Sequence, residues 1–371
     1  MKECFQKISD PRQRSKVRHL LHEVVIMTIC AVLANCDTYE EIANWCEGNA
    51  EWLKERLGLT LDNGTPSTST FEKVWRIVDT EELKKAFQCW IGKTWEKQQE
   101  RNTLCVDGKT LRGSKDSDRS PRHVISVWAK ENGLVLAQKA VGEKTNEIPE
   151  VPKLLRMLDL KGCTVTADAM SCQSAITQTI IDQQGDYALA LKENQPTLLA
   201  YAETNLKAYV DQREIYPDIT SCVTTDKGHG RIEVRRYYLT TDLDGLEESK
   251  QFPGMKAIGM VQSAVTKGEQ TIVEYRYYIT SLTDVEQFAY SVRSHWSIEN
   301  SLHYSLDISF NEDHSRIRKD NAPENLAIIR HFALSALKQL PRRSSTSIKT
   351  LRKRASYHRP TLSLALSFLD L

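Results

Sequence analysis

From the start of the chain to about residue 100, apolar positions recur at three- and four-residue steps, the period of helices that bury one face. The nearly unbroken run Val24 to Ala34 predicts a buried helix over 20–36. Tyr39, Ile42, Ala43, Trp45, Trp52 and Leu53 supply the core side of a second helix near 38–58. Trp75, Ile77, Val78, Leu83, Phe87, Trp90 and Ile91 supply that of two more, the first preceded by Ser69 and Glu72 at capping-box spacing. From Thr103 short strand runs take over: Leu104–Val106 closing on Asp107-Gly108, His123–Ala129 and Leu134–Val141 around the turn Glu131-Asn132-Gly133, Cys163–Ala167 ending in Asp168, and Tyr187–Leu191. Helical stretches fall at about 147–158, 173–183 and 196–210. Strands in succession followed by alternating helix and strand predict an α/β fold, a mixed sheet with flanking helices.

Between about 216 and 282 the pattern is β again, with Val273, Tyr275, Tyr277 and Ile279 on one strand face and Glu274 and Arg276 on the other. At Asp284 helical period returns. Val285, Phe288, Ala289, Val292, Trp296, Leu302 and Leu306 form a stripe, and Thr283 and Glu286 are spaced as a capping box. One more helix is expected at about 322–338, and a tail from Arg342 to Arg359 carries basic residues and no acidic one. The expected organisation is a helical N-terminal domain (1–100), a core (101–215 and 283–340), a β-rich insertion (216–282) and a basic C-terminal tail (341–371).

Composition narrows the classes. A chain of 371 residues, 40% hydrophobic and 27% charged, is an ordinary globular protein of two or three domains. A net charge of +1 gives no global pull toward nucleic acid or membrane, so any basic surface must be local. Nine cysteines with no CxxC pair predict reduced thiols in a cytoplasmic protein rather than a disulfide framework or zinc ribbon. The longest apolar run is too short to cross a bilayer, and no membrane partner is expected.

The chemistry lies in carboxylates. Glu299 falls on the apolar stripe, where an acid is costly unless something positive meets it. A salt bridge to Arg293 is one answer and a metal ion the other. Asp107 and Asp168 each end a core strand, where open sheets carry their ligand sites. Each has a plain alternative: Asp107-Gly108 as a turn, Asp168 as the cap of the following helix. If the two strands are neighbours, the acids emerge together, repel, and suit Mg²⁺ or Mn²⁺. Glu299 from a packed helix would complete a site for two ions of the kind that serve phosphoryl transfer. Asp307 and Glu312 are rival third carboxylates. Glu147, opening a helix, suits the positive end of its dipole.

Several ordered motifs then carry a resemblance: Val106-Asp-Gly-Lys-Thr-Leu-Arg-Gly113, Lys144-Thr-Asn-Glu-Ile-Pro149, Thr166-Ala-Asp-Ala-Met170, Leu191-Lys-Glu-Asn-Gln195, His229-Gly-Arg-Ile-Glu233 and His295-Trp-Ser-Ile-Glu-Asn300. From Asp10 to about Ile329 the chain resembles the ISAs1 family of insertion-sequence transposases, which includes the H-repeat-associated proteins and is similar to the larger IS4-like DDE group. The resemblance implies a ribonuclease-H-like core interrupted by a β-insertion, with Asp107, Asp168 and Glu299 as catalytic, metal-holding acids. It further implies two Mg²⁺ or Mn²⁺ ions, double-stranded DNA (transposon ends and target) as partner, and a homodimer in a synaptic complex. The implied activity is DNA transposition; a binding-only relative and a metal-dependent nuclease are the alternatives. Tyr290 and Arg293 match the group's Tyr-x-x-Arg step, but Glu299 lies six residues after Arg293 where that signature has four, and His295 takes the arginine's place when Trp-x-x-Glu is aligned. Candidate DNA contacts are these three together with Lys109, Arg112, Lys192, Asn194, His229 and Arg231, with a helix cap as the alternative at Asn194. The tail is either a backbone binder or a solvated segment.

Overall fold

The computed structural model describes residues 2–95, 102–115, 120–141, 147–212, 219–228, 230–341, 343 and 346–369. His229, Arg342 and the Lys144–Asn146 part of one motif lie outside them.

The sheet begins as an antiparallel meander: β1 (Thr103–Thr110), β2 (His123–Ala129) and β3 (Leu134–Val141). Helices cover both faces, so β2 is buried at every position and reads as a continuous apolar run without alternation. Gly133, at φ +65°, closes the β2–β3 turn in a conformation costly for other residues. Next, β4 (Thr164–Ala167) and β5 (Asp186–Leu191) add in parallel beside β1, giving the order β3-β2-β1-β4-β5 of a ribonuclease-H-like core. The strand-rich stretch after β5 comprises β6 (Ile219–Gly228), β7 (Arg231–Thr240), β8 (Ala257–Lys267) and β9 (Gln270–Thr280). It is continuous with the core. Because β9 pairs antiparallel with β5, all of these strands form one nine-stranded mixed sheet. The ends of β7–β9 nearest the core are buried, while the hairpin ends project with both faces wet: Ile272 and Val273 on β9 are both exposed.

The N-terminal helices are α1 (Lys2–Phe5), α2 (Leu21–Leu33), α3 (Tyr39–Glu47), α4 (Ala50–Leu57), α5 (Thr68–Ile77) and α6 (Thr80–Thr94). All of α2 but His22 is buried, as its apolar run requires. A full capping box starts α3, Thr38 Oγ1 accepting from Glu41 N (3.2 Å) and Glu41 Oε2 from Thr38 N (2.9 Å). The expected Ser69–Glu72 box is absent, since α5 begins two residues earlier with Ser67 in the cap position. Between the core strands lie α7 (Glu150–Leu155), α8 (Ser174–Asp182), α9 (Pro196–Ala202) and, after a π-helical turn, α10 (Ala208–Gln212). After the sheet come α11 (Val285–Ser297), a π-helical segment Ile298–His303, α12 (Tyr304–Phe310) and α13 (Ala322–Gln339). Asp284, not Thr283, caps α11, accepting from Gln287 N at 2.6 Å.

Helix α13 joins the layers. Buried everywhere except Glu324, Lys338 and Gln339, it packs against α2, α5 and α6 on one side and β3 on the other. Its Phe332 ring meets Phe5, Phe87 and Trp90 with centroids 5.6, 4.6 and 5.2 Å away. The N-terminal helices and the sheet therefore share one hydrophobic core.

The described part of the basic tail is folded, with Arg352 buried and Lys349, Lys353 and Arg354 exposed. It forms α14 (Ile348–Tyr357) and α15 (Arg359–Phe368), which pack on α2 and α13. Arg352 is fully buried, donating to Val32 O at the end of α2 (3.0 and 2.8 Å), to Asp37 Oδ1 (2.8 Å) and to Ser309 O. The last carbonyls of a helix have no partner within it, and a guanidinium supplies one. Cys4 and Cys89 are paired as a disulfide between α1 and α6, against the expectation of nine reduced thiols, and the other seven are free. Among the described residues no helix is long and apolar enough to cross a membrane.

Candidate metal centre and flanking grooves

The β1–β4 ladder ends at the pair Val106–Ala167, so Asp107 and Asp168 are the next residues on neighbouring strands. Asp107 is not in a turn. Its strand runs on to Thr110, paired with β2 as far as His123. Gly108 is required there: a Cβ would collide with His123 Nε2 and come within 2.9 Å of Glu147 Oε2. These two side chains form a buried ion pair, with His123 Nδ1 2.9 Å from Thr110 Oγ1. Glu147 thus meets an imidazole, while α7 starts three residues later.

Asp168 does take a capping role, accepting from Ser171 N (3.3 Å) at the head of a short 3-10 turn, yet the residue is exposed. Its loop is braced from β5 by Asn194 Nδ2 donating to Ala169 O (2.8 Å) and Gln195 Nε2 to Cys172 O (3.0 Å). Asn194 is a clasp between the two strand-end loops rather than a cap on α9, whose cap position is Gln195.

Glu299 comes from the π-helical segment. A π turn takes an extra residue and rotates the rest of the helix about its axis, and such insertions cluster at functional sites. Here the stripe breaks: Phe288, Ala289, Val292, Ile298, Leu302 and Leu306 are buried, Trp296 is 42% exposed, and the Glu299 side chain is 61% exposed. No bridge to Arg293 forms, because Arg293 faces Asp226 at 3.6 Å. The partner of Glu299 is His303, whose Nδ1 lies 3.2 Å from Glu299 Oε2 and 3.6 Å from Asp107 Oδ2. Burial pushes the Asp107 carboxyl upward; the His303 imidazole and the Gly108 N–H oppose it, and the charges of Asp168 and Glu299 add to it. Asp168 and Glu299 therefore each lie within electrostatic reach of Asp107. Asp107, Glu299 and His303 each offer an atom within 4.8 Å of the others'. Crowded hard oxygens plus an imidazole nitrogen are a donor set that fits a divalent cation.

The rival acids are engaged elsewhere. Lys109 sits among Asp307 (2.7 Å), Glu312 (3.2 Å) and Asp313 (3.1 Å). Burial alone would raise Glu312, but Lys109 and Arg330 prevail and hold it below the usual carboxylate range. Lys109 therefore anchors β1 to the 3-10 turn after α12. Among the other basic candidates, Arg112 is 82% exposed, with Asp313 at 3.6 Å, and Lys192 and Arg231 are exposed. Tyr290 Oη receives Lys130 Nζ and donates to Glu131 Oε1 (2.8 Å), which fastens α11 to the β2–β3 turn. His295 turns inward, Nδ1 3.2 Å from Thr166 Oγ1, and burial lowers its pKa against the pull of Asp168.

Two grooves flank α11, with Trp296 and Asn300, on either side of Glu299 in sequence, in their walls. One, of about 550 Å³, lies between Lys130, β6 and α11; the other, of about 510 Å³, crosses β7–β9. Arg293, Trp296 and Asn300 belong to both. The second also presents Arg231, Arg235 and Arg276, the last with its guanidinium 4.9 Å from the Trp296 ring centroid. Sequence reading passed over His303, Trp296, Arg235 and Arg276. The four-residue step from Glu299 to His303, which sets two side chains on one helix face, was the available signal for the histidine.

A ribonuclease-H-like sheet with acids just past the end of the β1–β4 ladder and a third on a following helix defines the class of DDE-type nucleic-acid enzymes. Comparison with known proteins agrees. Residues 98–336 match the family model Transposase DDE domain, and residues 2–91 match the model DDE_Tnp_1-associated. The chain belongs to the DDE transposase family. It is similar to YncI of Escherichia coli O157:H7, named provisionally as a transposase, at 37% identity over 89% of this chain and 85% of that one. Its identity to YhhI of Escherichia coli strain K12, an H repeat-associated protein also named provisionally as a transposase, is 34% over 89% of this chain and 88% of the other. A cryo-EM structure of the piggyBac transposase synaptic complex with hairpin DNA matches at a TM-score of 0.39 and 12% identity, covering 99% of this chain and 77% of that one, and nothing is argued from that likeness.

Proposed function

We propose that this protein is an active transposase that hydrolyses a phosphodiester at each end of its element and joins the freed 3′-hydroxyl to target DNA. The observation that supports the reading is the cluster of Asp107, Glu299 and His303, with Asp168 next to Asp107 where the β1–β4 ladder ends, in a chain of this family. These acids would hold two Mg²⁺ or Mn²⁺ ions, which when bound activate the attacking oxygen and stabilise the leaving one. Asp107 is half-buried and the least exposed of the three acids, so its charge is screened less than theirs. Asp168 is fixed through its braced loop, and the exposed Glu299 closes the site from the helix. Arg231 and Arg293, in the grooves beside Glu299, together with Arg112 and Lys192, are proposed to hold DNA phosphates. Two ends must be brought together, so the working form is proposed to be a homodimer in a synaptic complex.

The test uses purified protein, Mg²⁺ or Mn²⁺, and duplex DNA carrying the element's terminal repeats. Cleaved and joined products are expected. Cleavage without joining would make the protein a nuclease, and a shifted but uncut duplex a DNA-binding relative. Asp107→Asn or Glu299→Gln with undiminished cleavage would overturn the site assignment.

A further inference from the structure

We infer that His303 is itself a ligand of the metal ion held by Asp107 and Glu299, which makes that position a mixed oxygen–nitrogen site and tilts it toward Mn²⁺ over Mg²⁺. The inference rests on the function proposed above.

Its first support is position. The imidazole is buried and reaches the carboxylates from beneath, Nδ1 3.2 Å from Glu299 Oε2 and 3.6 Å from Asp107 Oδ2. The side chain is held by the π-helical segment that also presents Glu299, so the two arrive as one unit.

The second support is on the far side of the ring. His303 Nε2 is buried with no protein partner, and the residue lines a small pocket of about 10 Å³, room for about one water molecule. His331 lines the same cavity, its Nδ1 likewise buried and without a protein partner. Burial lowers His331 to about 4, which keeps its ring neutral and one nitrogen able to accept a hydrogen bond. A water there would join the Nε2–H of His303 to His331 and fix the tautomer in which the Nδ1 lone pair points at Asp107 and Glu299. Metal-bound histidines are normally oriented in this way, by a hydrogen bond from the other ring nitrogen. Three acceptor atoms then converge on one point, and a cation is what joins them. A nitrogen donor suits Mn²⁺ better than Mg²⁺, whose preference is for oxygen.

The test is Mn²⁺ bound to the full chain, followed by electron paramagnetic resonance. A ¹⁴N coupling from a directly bound imidazole is expected in the unaltered protein, lost in His303→Asn and kept in His295→Asn. His303→Asn should weaken Mn²⁺ by about tenfold or more, the scale of losses seen even when an outer-shell partner of a metal ligand is removed, while Mg²⁺ changes far less. A thermal melt of each metal-free variant identifies any that has merely failed to fold, and His303→Gln then replaces it. Mn²⁺ bound in a manner that needs Asp107 but without ¹⁴N coupling overturns the inference and leaves the carboxylate site intact. Mn²⁺ binding indifferent to Asp107→Asn overturns both.

Discussion

Arg352→Met removes a guanidinium that is fully buried and bonded to three main-chain carbonyls, of Val32, Cys36 and Ser309, and a carboxylate. Asp37 keeps Asn311 Nδ2 at 3.0 Å, so the main loss falls on Val32 O and Ser309 O, which the apolar replacement cannot satisfy. Hydrogen bonds from charged donors contribute about 1.5–3 kcal/mol each, and the desolvation cost that arginine bears in the folded state is recovered. The net loss should therefore match other broken buried pairs, about 3–5 kcal/mol. With a urea m-value of about 3 kcal/mol/M for a chain of this size, the unfolding midpoint, followed by tryptophan fluorescence, falls by about 1–1.5 M. Lys353→Met removes the same charge from the next, exposed position and should stay within about 0.5 kcal/mol. A midpoint shift below about 0.3 M for Arg352→Met, or weaker DNA binding at unchanged stability, would refute the reasoning and restore the tail as a DNA contact.

Gly108→Ala drives a methyl into the His123–Glu147 pair and should destabilise by about 1–3 kcal/mol in a thermal melt; an unchanged melt would mean that the pair is not rigid. Asp107 has a raised pKa in the folded state, so the metal-free protein binds its proton more tightly than the unfolded chain does. Stability should fall as pH rises from the model-peptide value of 3.8 through the raised pKa, and Asp107→Asn should remove that slope in melts from pH 4 to 7 while abolishing cleavage. Glu312→Gln leaves Lys109 and Arg330 short of a charge and should lower stability by about 3–5 kcal/mol; a neutral result would show that Asp307 and Asp313 suffice. Arg231→Ala and Arg293→Ala should each reduce the salt dependence of DNA affinity by about one unit of log–log slope, and an unchanged slope would remove that side chain from the interface.

The two sheet acids were legible because a buried strand run that ends in aspartate is a local pattern. Glu299 was found through a premise that the structure corrects: it is exposed, and the stripe it was placed on breaks at Trp296. The π-helical insertion responsible leaves no mark in apolar spacing, since it is settled by how the helix meets the sheet. The role of Lys109 was out of reach for a similar reason. Its three carboxylates lie about two hundred positions further along, and only the closed fold brings them together. The tail was misread for a different one. Ile348, Leu351 and Ala355, then Leu362, Ala365 and Leu366, have helical spacing, but the basic residues among them drew attention to charge.

The position of α13 governs when the protein can exist at all. Chains usually fold domain by domain as they leave the ribosome, the N-terminal part first. Here the first 95 residues emerge with the α2, α5 and α6 faces that belong against α13 still bare, and the sheet made next lacks the same helix behind β3. The surface that covers both layers is complete only once residue 339 has been synthesised, and the last carbonyls of α2 gain their guanidinium only with residue 352. Asp107 and Asp168 are thus made well before the helix that backs their sheet, and Glu299 shortly before it.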